Sequence, residues 1–355
     1  MQTRRDFLRQ ATCSTAFALL SRSFAAKPAD PTAYPPSFFL IGDTHYCADD
    51  ESMTSMQTTS ADYNHRLIDW LNKLPGTEFP AEIGGGTVPT PDGVIHAGDM
   101  IDNGDKGPAK IKMMETEWSA FTADWGLNGN DGRLRWCVRE VYGNHDAPHG
   151  DTLVIDEMKK RNTRRGGVTN VANNGLHYSW DWGNVHFVAL GIIVGATPEV
   201  RRQRRYAALD SLAFLQQDLA EYVGTSGRPV MLVHHVDVAR YSEPIPDDKV
   251  LRSEWDYADV HAYHATLKPY RIAGIMCGHT HTRNLFRWNG TKNTRAEQGI
   301  AFLNTDNAAH FGGPAQAFLH VELAEKELRI REFATKDGWQ TAAWTPQRWT
   351  FPLQS

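Results

Sequence analysis

A chain of 355 residues with an ordinary apolar share can bury a sizeable core, as one large domain or two small ones. Its formal charge of −5 offers none of the broad basic surface that nucleic-acid binding needs, and no apolar stretch reaches the about 20 residues of a membrane span. Four Cys without a CxxC pattern exclude a disulfide framework and a thiolate zinc cage, whereas fifteen His point toward imidazole chemistry.

In chain order, the N-terminus comes first. Thr3-Arg4-Arg5-Asp6-Phe7-Leu8-Arg9, an apolar stretch over 11–20 and the small residues Ser23 and Ala25 resemble a twin-arginine export signal cleaved before Ala26. An amphipathic helix and a general secretory signal are the competing readings. On the first reading, residues 1–25 engage the twin-arginine export machinery, and residues 26–355 form one periplasmic or secreted domain. Losing four Arg and one Asp with the signal leaves 33 Lys+Arg against 41 Asp+Glu, a net charge of −8. Cys13 leaves with it, and Cys47 and Cys277 read as small buried residues.

Beyond Pro28, Pro31, Pro35 and Pro36, short apolar runs alternate with helical patterns. Strands are predicted over 37–42, 93–97, 136–142, 186–190, 229–233 and 272–277, and helices over 61–74, 108–124, 207–222 and 257–267. Most of the strands are continuously apolar, as suits strands covered on both faces in an α/β fold. Residues 177–190 read as a hairpin turning at Asp181-Trp182-Gly183-Asn184, and 317–323 with 327–333 as a second. Residues 81–93 read as a surface loop. With no internal repeat and no low-complexity linker, one domain is expected.

Five of these strands end in residues able to bind metal or phosphate. They are Asp43-Thr44-His45, Gly98-Asp99, Gly143-Asn144-His145-Asp146, His234-His235 and Gly278-His279-Thr280-His281. In open α/β sheets, sites form beyond the carboxyl ends of strands, where separate loops converge. In extended chain, residues i and i+2 share a side, so Asp43 with His45, and His279 with His281, can face one cavity. The run Asp99, Asp102, Asp105 is not a calcium loop. Counted from Asp99, position 3 is Ile101 and position 12 is Lys110, where that loop needs an oxygen ligand and a bidentate Glu. Gly98 and Gly104 also bracket the run and rule out an acidic helix face.

Together and in order, D-x-H, GD-x-x-D, GNHD, HH and GHTH resemble the calcineurin-like metallophosphoesterase family, in the form of an exported bacterial member. The resemblance continues through SWDWGNVHFVALG and SLAFLQQDLA. It implies an α/β fold in which a two-sheet β-sandwich is flanked by helices, a four-layer αββα arrangement. It also implies two divalent metal ions (Mn, Fe or Zn). Asp43, His45 and His281 would hold the first, Asp99 would bridge, and Asn144, His234 and His279 would complete the second. His235 is the alternative to His234. Imidazole and carboxylate suit such borderline ions, and an ion pair can clamp a phosphoryl group while lowering the pKa of a bound water. His145 would assist the leaving group, with Asp102 as its orienting carboxylate and Asp146 as the rival.

The implied activity is hydrolysis of small phosphate mono- or diesters by metal-activated hydroxide. The alternatives are a phosphodiesterase or nuclease specialised for nucleotides, and an inactive binding module. Asn103 stands where the protein serine/threonine phosphatase branch has Arg. Asp102 stands where purple acid phosphatases have a metal-binding Tyr. Both branches are therefore disfavoured. The long segment 236–263 reads either as a cap over the cleft, contacting substrate through Arg240, Tyr241 and Trp255, or as a surface insertion. His310 is a candidate pocket residue, and His65 and His96 read as structural.

Overall fold

A computed structural model of the chain describes residues 35–196, 204–244, 253–292, 296–311 and 315–353, so the expected export signal lies outside the described residues. The first run is β1 (Ser37–Ile41), α1 (Thr58–Lys73), β2 (Gly93–His96), α2 (Ile111–Trp125), β3 (Val138–Glu140) and α3 (Leu153–Arg164). A second run follows: β4 (Val168–Val171), β5 (Tyr178–Trp182), β6 (Val185–Ala189), α4 (Ser211–Asp218), β7 (Val230–Val233), α5 (Tyr257–Leu267) and β8 (Ile272–Cys277). The chain closes with β9 (Asn284–Trp288), β10 (Ile300–Asn304), β11 (Gln316–Leu323), β12 (Glu327–Thr335) and β13 (Ala343–Pro352).

These strands form two mixed sheets, β13-β12-β11-β1-β2-β3 and β4-β5-β6-β7-β8-β10-β9, with helices flanking the pair. This is the expected αββα four-layer architecture. The continuous apolar runs are explained by the alternation of side chains along a strand. In β1, Phe38 and Leu40 enter the core between the sheets with Trp180, Phe187, Val233 and Leu319. Phe39 and Ile41 turn the other way and pack with Leu67 and Leu71 of α1 and Phe121 of α2. Between the sheets, Trp180 stacks on Phe187 with ring centroids 5.1 Å apart.

Each sheet contains a run of parallel strands, β1-β2-β3 in one and β6-β7-β8-β10 in the other. Parallel pairing aligns their carboxyl ends, and the motif-bearing loops leave from those ends.

Three departures from the predicted elements have identifiable causes. The helix expected over 207–222 starts only at Ser211, because Leu209 and Asp210 take left-handed backbone at φ 49° and 61°. Helix α3 is masked in the sequence by its charge, yet Arg161 is a core residue. Its Nε donates to Glu140 Oε1 at 2.7 Å, and Arg165 Nη2 donates to the same oxygen at 2.5 Å. Strand β13 carries Pro346 and an alternating exposed face, which only an edge position permits.

Candidate metal centre

The loop after β1 is laced to the loop after β2. Asp43 N–H donates to Gly98 O at 2.9 Å, His45 N–H to Asp99 O at 3.1 Å and Tyr46 N–H to Met100 O at 2.9 Å. Two buried carboxylates brace these loops. Asp146 accepts from Met100 N, Ile101 N and Gly143 N at 2.9, 2.9 and 2.7 Å. Glu117, on α2, accepts from Ala48 N at 2.8 Å and from Asn103 N at 3.0 Å. Among the described residues, ten non-glycine residues have positive φ, and five of them are Asp43, His45, Asp99, His279 and His281. Left-handed backbone is unfavourable for such residues and persists only where the surroundings impose it. Approach is equally tight at Gly143, where a Cβ would lie 2.2 Å from Asp99 Oδ1.

Three groups of potential ligands result: Asp43, His45 and His281; Asp99, His235 and His279; and His45, Asp102 and His145. Within each, the donor atoms lie within 4.8 Å of one another. In the first, His281 Nε2 is 3.4 Å from Asp43 Oδ1 and 3.2 Å from His45 Nε2. Asp99 belongs to both halves, since its Oδ2 is 3.7 Å from His45 Nε2 and 3.1 Å from His235 Nε2. Its other oxygen, Oδ1, accepts from the His145 main-chain N–H at 2.8 Å.

The electrostatics fit a cation. Burial raises the Asp43 carboxyl, but its bond to His281 and that ring's charge hold it below the ordinary range. Burial likewise opposes ionisation of Asp99, and His235 overrides it through charge and hydrogen bond. In return, although burial pulls it down, the His235 imidazole is pushed up to about 9 by Asp99. Positive charge is thus stabilised between two buried carboxylates, as a pair of divalent ions would require, and the imidazole and carboxylate donors suit such ions.

The structure corrects the expectation for His234. Strand parity decides between the neighbours. Val230 and Leu232 face the helices, Met231 and Val233 face between the sheets, and the ladder continues past the strand through His234 N–H to Met276 O at 3.1 Å. His234 therefore takes the outer side, its ring against Trp255 and Tyr263 at centroid distances of 5.3 and 5.6 Å. His235 takes the inner side, its Nδ1 donates to Ala97 O at 2.7 Å, and its Nε2 lies 3.1 Å from Asn144 Oδ1.

Asp102 is also differently placed. Its Oδ1 is 3.1 Å from His45 Nδ1 but 3.9 Å from His145 Nδ1. The partner of His145 Nδ1 is the main-chain carbonyl of Asp102, at 3.1 Å. A carbonyl only accepts, so Nδ1 donates and Nε2 remains to take or give a proton. Asp146 is committed to backbone N–H groups and does not orient His145. Asp105 Oδ1 also comes within 3.7 Å of His145 Nδ1.

His310 borders the centre, its ring 4.6 Å from that of His45 and 5.0 Å from that of His281. Burial and those two rings push its imidazole down to about 4. His96 bonds to Thr44 Oγ1 at 2.8 Å, and His65 Nε2 lies 3.2 Å from Asp124 Oδ2. Trp255, expected over the cleft, is 1% exposed and belongs to the core. Its neighbour Glu254, which carries no motif, places Oε1 3.1 Å from His279 Nε2.

Fold and clusters together define a metal-dependent hydrolase in general terms, with two groups of ligands consistent with a binuclear site. A family model, Calcineurin-like phosphoesterase, matches residues 36–283, and the chain belongs to that family. The fold is similar to that of a dimetal phosphatase from Danio rerio, with TM-score 0.52 and 14% identity over 92% of this chain and 100% of that one. It is also similar to a purple acid phosphatase from yellow lupin (Lupinus luteus) seeds, with TM-score 0.50 and 11% identity over 88% of this chain and 53% of that one. At these identities the likeness is one of fold. No curated protein sequence matches the chain.

Proposed function

We propose that the protein is an exported binuclear-metal phosphoesterase acting on small phosphate mono- or diesters. Asp43, His45 and His281 would hold one ion and Asn144, His235 and His279 the other, with Asp99 available to both. The observation that carries this reading is the position of Asp99 Oδ2 between His45 Nε2 and His235 Nε2, at 3.7 and 3.1 Å. Two divalent ions bound there would neutralise phosphoryl charge and lower the pKa of an attacking water.

The chain's own part is positioning and proton handling. The bond of Nδ1 to the Asp102 carbonyl fixes the His145 ring and presents Nε2 as the proton donor to the leaving oxygen. The His145 side chain is 28% exposed, so a substrate bound at the centre can meet it. Through its main chain, the same residue also fixes Asp99. The test is turnover of aryl phosphate mono- and diesters by protein reconstituted with Mn, Fe or Zn. Hydrolysis of one ester class is expected, and no hydrolysis of either sinks the reading. In His145→Ala, turnover should fall by about 10²–10⁴ with both ions retained. Loss of an ion in that variant contradicts the role given to the side chain.

The export part of the reading rests on residues 1–25 alone. Replacing Arg4 and Arg5 by Lys should hold the precursor in the cytoplasm. Unchanged export refutes the twin-arginine route.

A further inference from the structure

The ligand histidines differ in which ring nitrogen is already engaged. His45 gives Nδ1 to Asp102, and His235 gives Nδ1 to Ala97 O, so both keep Nε2 for an ion. His279 is reversed, because its Nε2 is taken by Glu254 Oε1 at 3.1 Å. A carboxylate only accepts from an imidazole N–H. The pair therefore selects the tautomer protonated at Nε2 and leaves Nδ1 with its lone pair.

Glu254 is itself held from several sides. Tyr241 Oη donates to its Oε2, and Arg240 and Arg205 each place Nη1 3.6 Å from the carboxylate. Arg205 N–H bonds to Ser253 O at 2.7 Å, and Arg204 fastens that strip through Nε to Asp259 Oδ2 at 2.6 Å. On the other side, Trp255 is buried with Nε1 donating to Val236 O at 3.2 Å, and Asp256 caps α5 through Ala258 N–H at 2.8 Å. Glu254 is 8% exposed. A carboxylate fixed this firmly has one orientation to offer the ring beside it.

We infer that Glu254, from the segment after β7, is the positioning residue that fixes His279 for the second ion by holding its Nε2–H. This rests on the proposed two-ion centre. It makes part of the segment expected to cap the cleft into a support for the metal site.

The experiment is a titration of the metal-free full chain with cobalt(II), following calorimetric stoichiometry and the visible absorption of the bound ion. Wild type should take up two ions per chain. Glu254→Gln keeps the shape of the side chain but can offer an amide N–H to the ring. It should weaken one ion by about 10–100-fold and leave the other unchanged. The band shape at saturation should be unaltered, because the ligands are the same. Tyr241→Phe, which removes one support of Glu254, should weaken the same ion by less. In a His279→Ala background, Glu254→Gln should have no further effect.

Equal weakening of both ions, or of neither, overturns the inference, as does a further loss in the His279→Ala background. A changed absorption band at saturation also overturns it, because Glu254 would then be a direct ligand. Wild-type uptake of fewer than two ions instead overturns the two-ion reading and this inference with it.

Discussion

Replacing Asp102 separates two roles that its place in the sequence left together. The sequence assigned its carboxylate to His145, whereas the structure places it 3.1 Å from His45 Nδ1 and leaves His145 with the Asp102 carbonyl. A hydrogen bond to a charged group is worth about 1.5–3 kcal/mol. With the Asp102 side chain 24% exposed, the lower part of that range applies, about 1.5–2 kcal/mol, or roughly 10–30-fold in the affinity of the ion held by His45. Asp102→Ala should therefore raise the dissociation constant of one ion by that factor in competition with a chelator. Asp102→Asn, whose carbonyl can still accept from Nδ1, should recover part of the loss. Turnover should return toward the wild-type level as metal is added, because the main-chain contact to His145 survives both substitutions. If metal affinity is unchanged and turnover stays low at saturating metal, Asp102 acts through His145 and the reasoning fails.

Three further outcomes follow from the same geometry. His235→Ala should lose the second ion and turnover together, whereas His234→Ala should retain both ions and instead lower stability by about 3 kcal/mol through lost packing against Trp255 and Tyr263. Metal analysis beside thermal melting distinguishes them, and the reverse pattern would restore His234 as the ligand. Burial would raise the Glu140 carboxyl, but Arg161 and Arg165 hold it at about 2, against 4.5 unperturbed. Its contribution, about 3 kcal/mol, is full above the unfolded pKa and is lost as pH falls toward about 2. The destabilisation by Glu140→Gln, measured in urea, should accordingly be smaller at pH 3.5 than at pH 7, and equal values at both would contradict the ion-triad account. Trp180→Ala should cost about 3–5 kcal/mol of stability, read by the same unfolding, since the ring fills the space between the sheets. A loss below about 1 kcal/mol would mean that the core does not depend on it.

Most of the proposed centre was legible because its candidate ligands occupy the ends of short apolar strands, where one glycine-bracketed motif carries each of them. Asp43, His45, Asp99, Asn144, His279 and His281 all come to the same place. The choice between His234 and His235 depends on which face of β7 looks between the sheets. Val230, Met231, Leu232 and Val233 are all apolar, so the run gives no parity, and only the packing of Met231 and Val233 against the other sheet sets it. The carboxylate of Asp102 lies nearer His45 and its carbonyl bonds to His145, a division that spacing does not resolve. Glu254 bears no motif and reaches His279 across 25 residues, with its carboxylate supported from two separate stretches, at Arg205 and at Arg240 and Tyr241. In the fold, the continuously apolar strands were evident. Helix α3 was hidden because Arg161 is apolar in position though not in type, its charge neutralised by Glu140.

The central claim is that one carboxylate, Asp99, stands between two ions. Anomalous scattering from crystals of the metal-loaded protein tests it most directly. Two peaks about 3.5–4 Å apart are expected, with Asp99 between them, His45 on one and His235 on the other. A single peak, or two peaks that do not share Asp99, would contradict it.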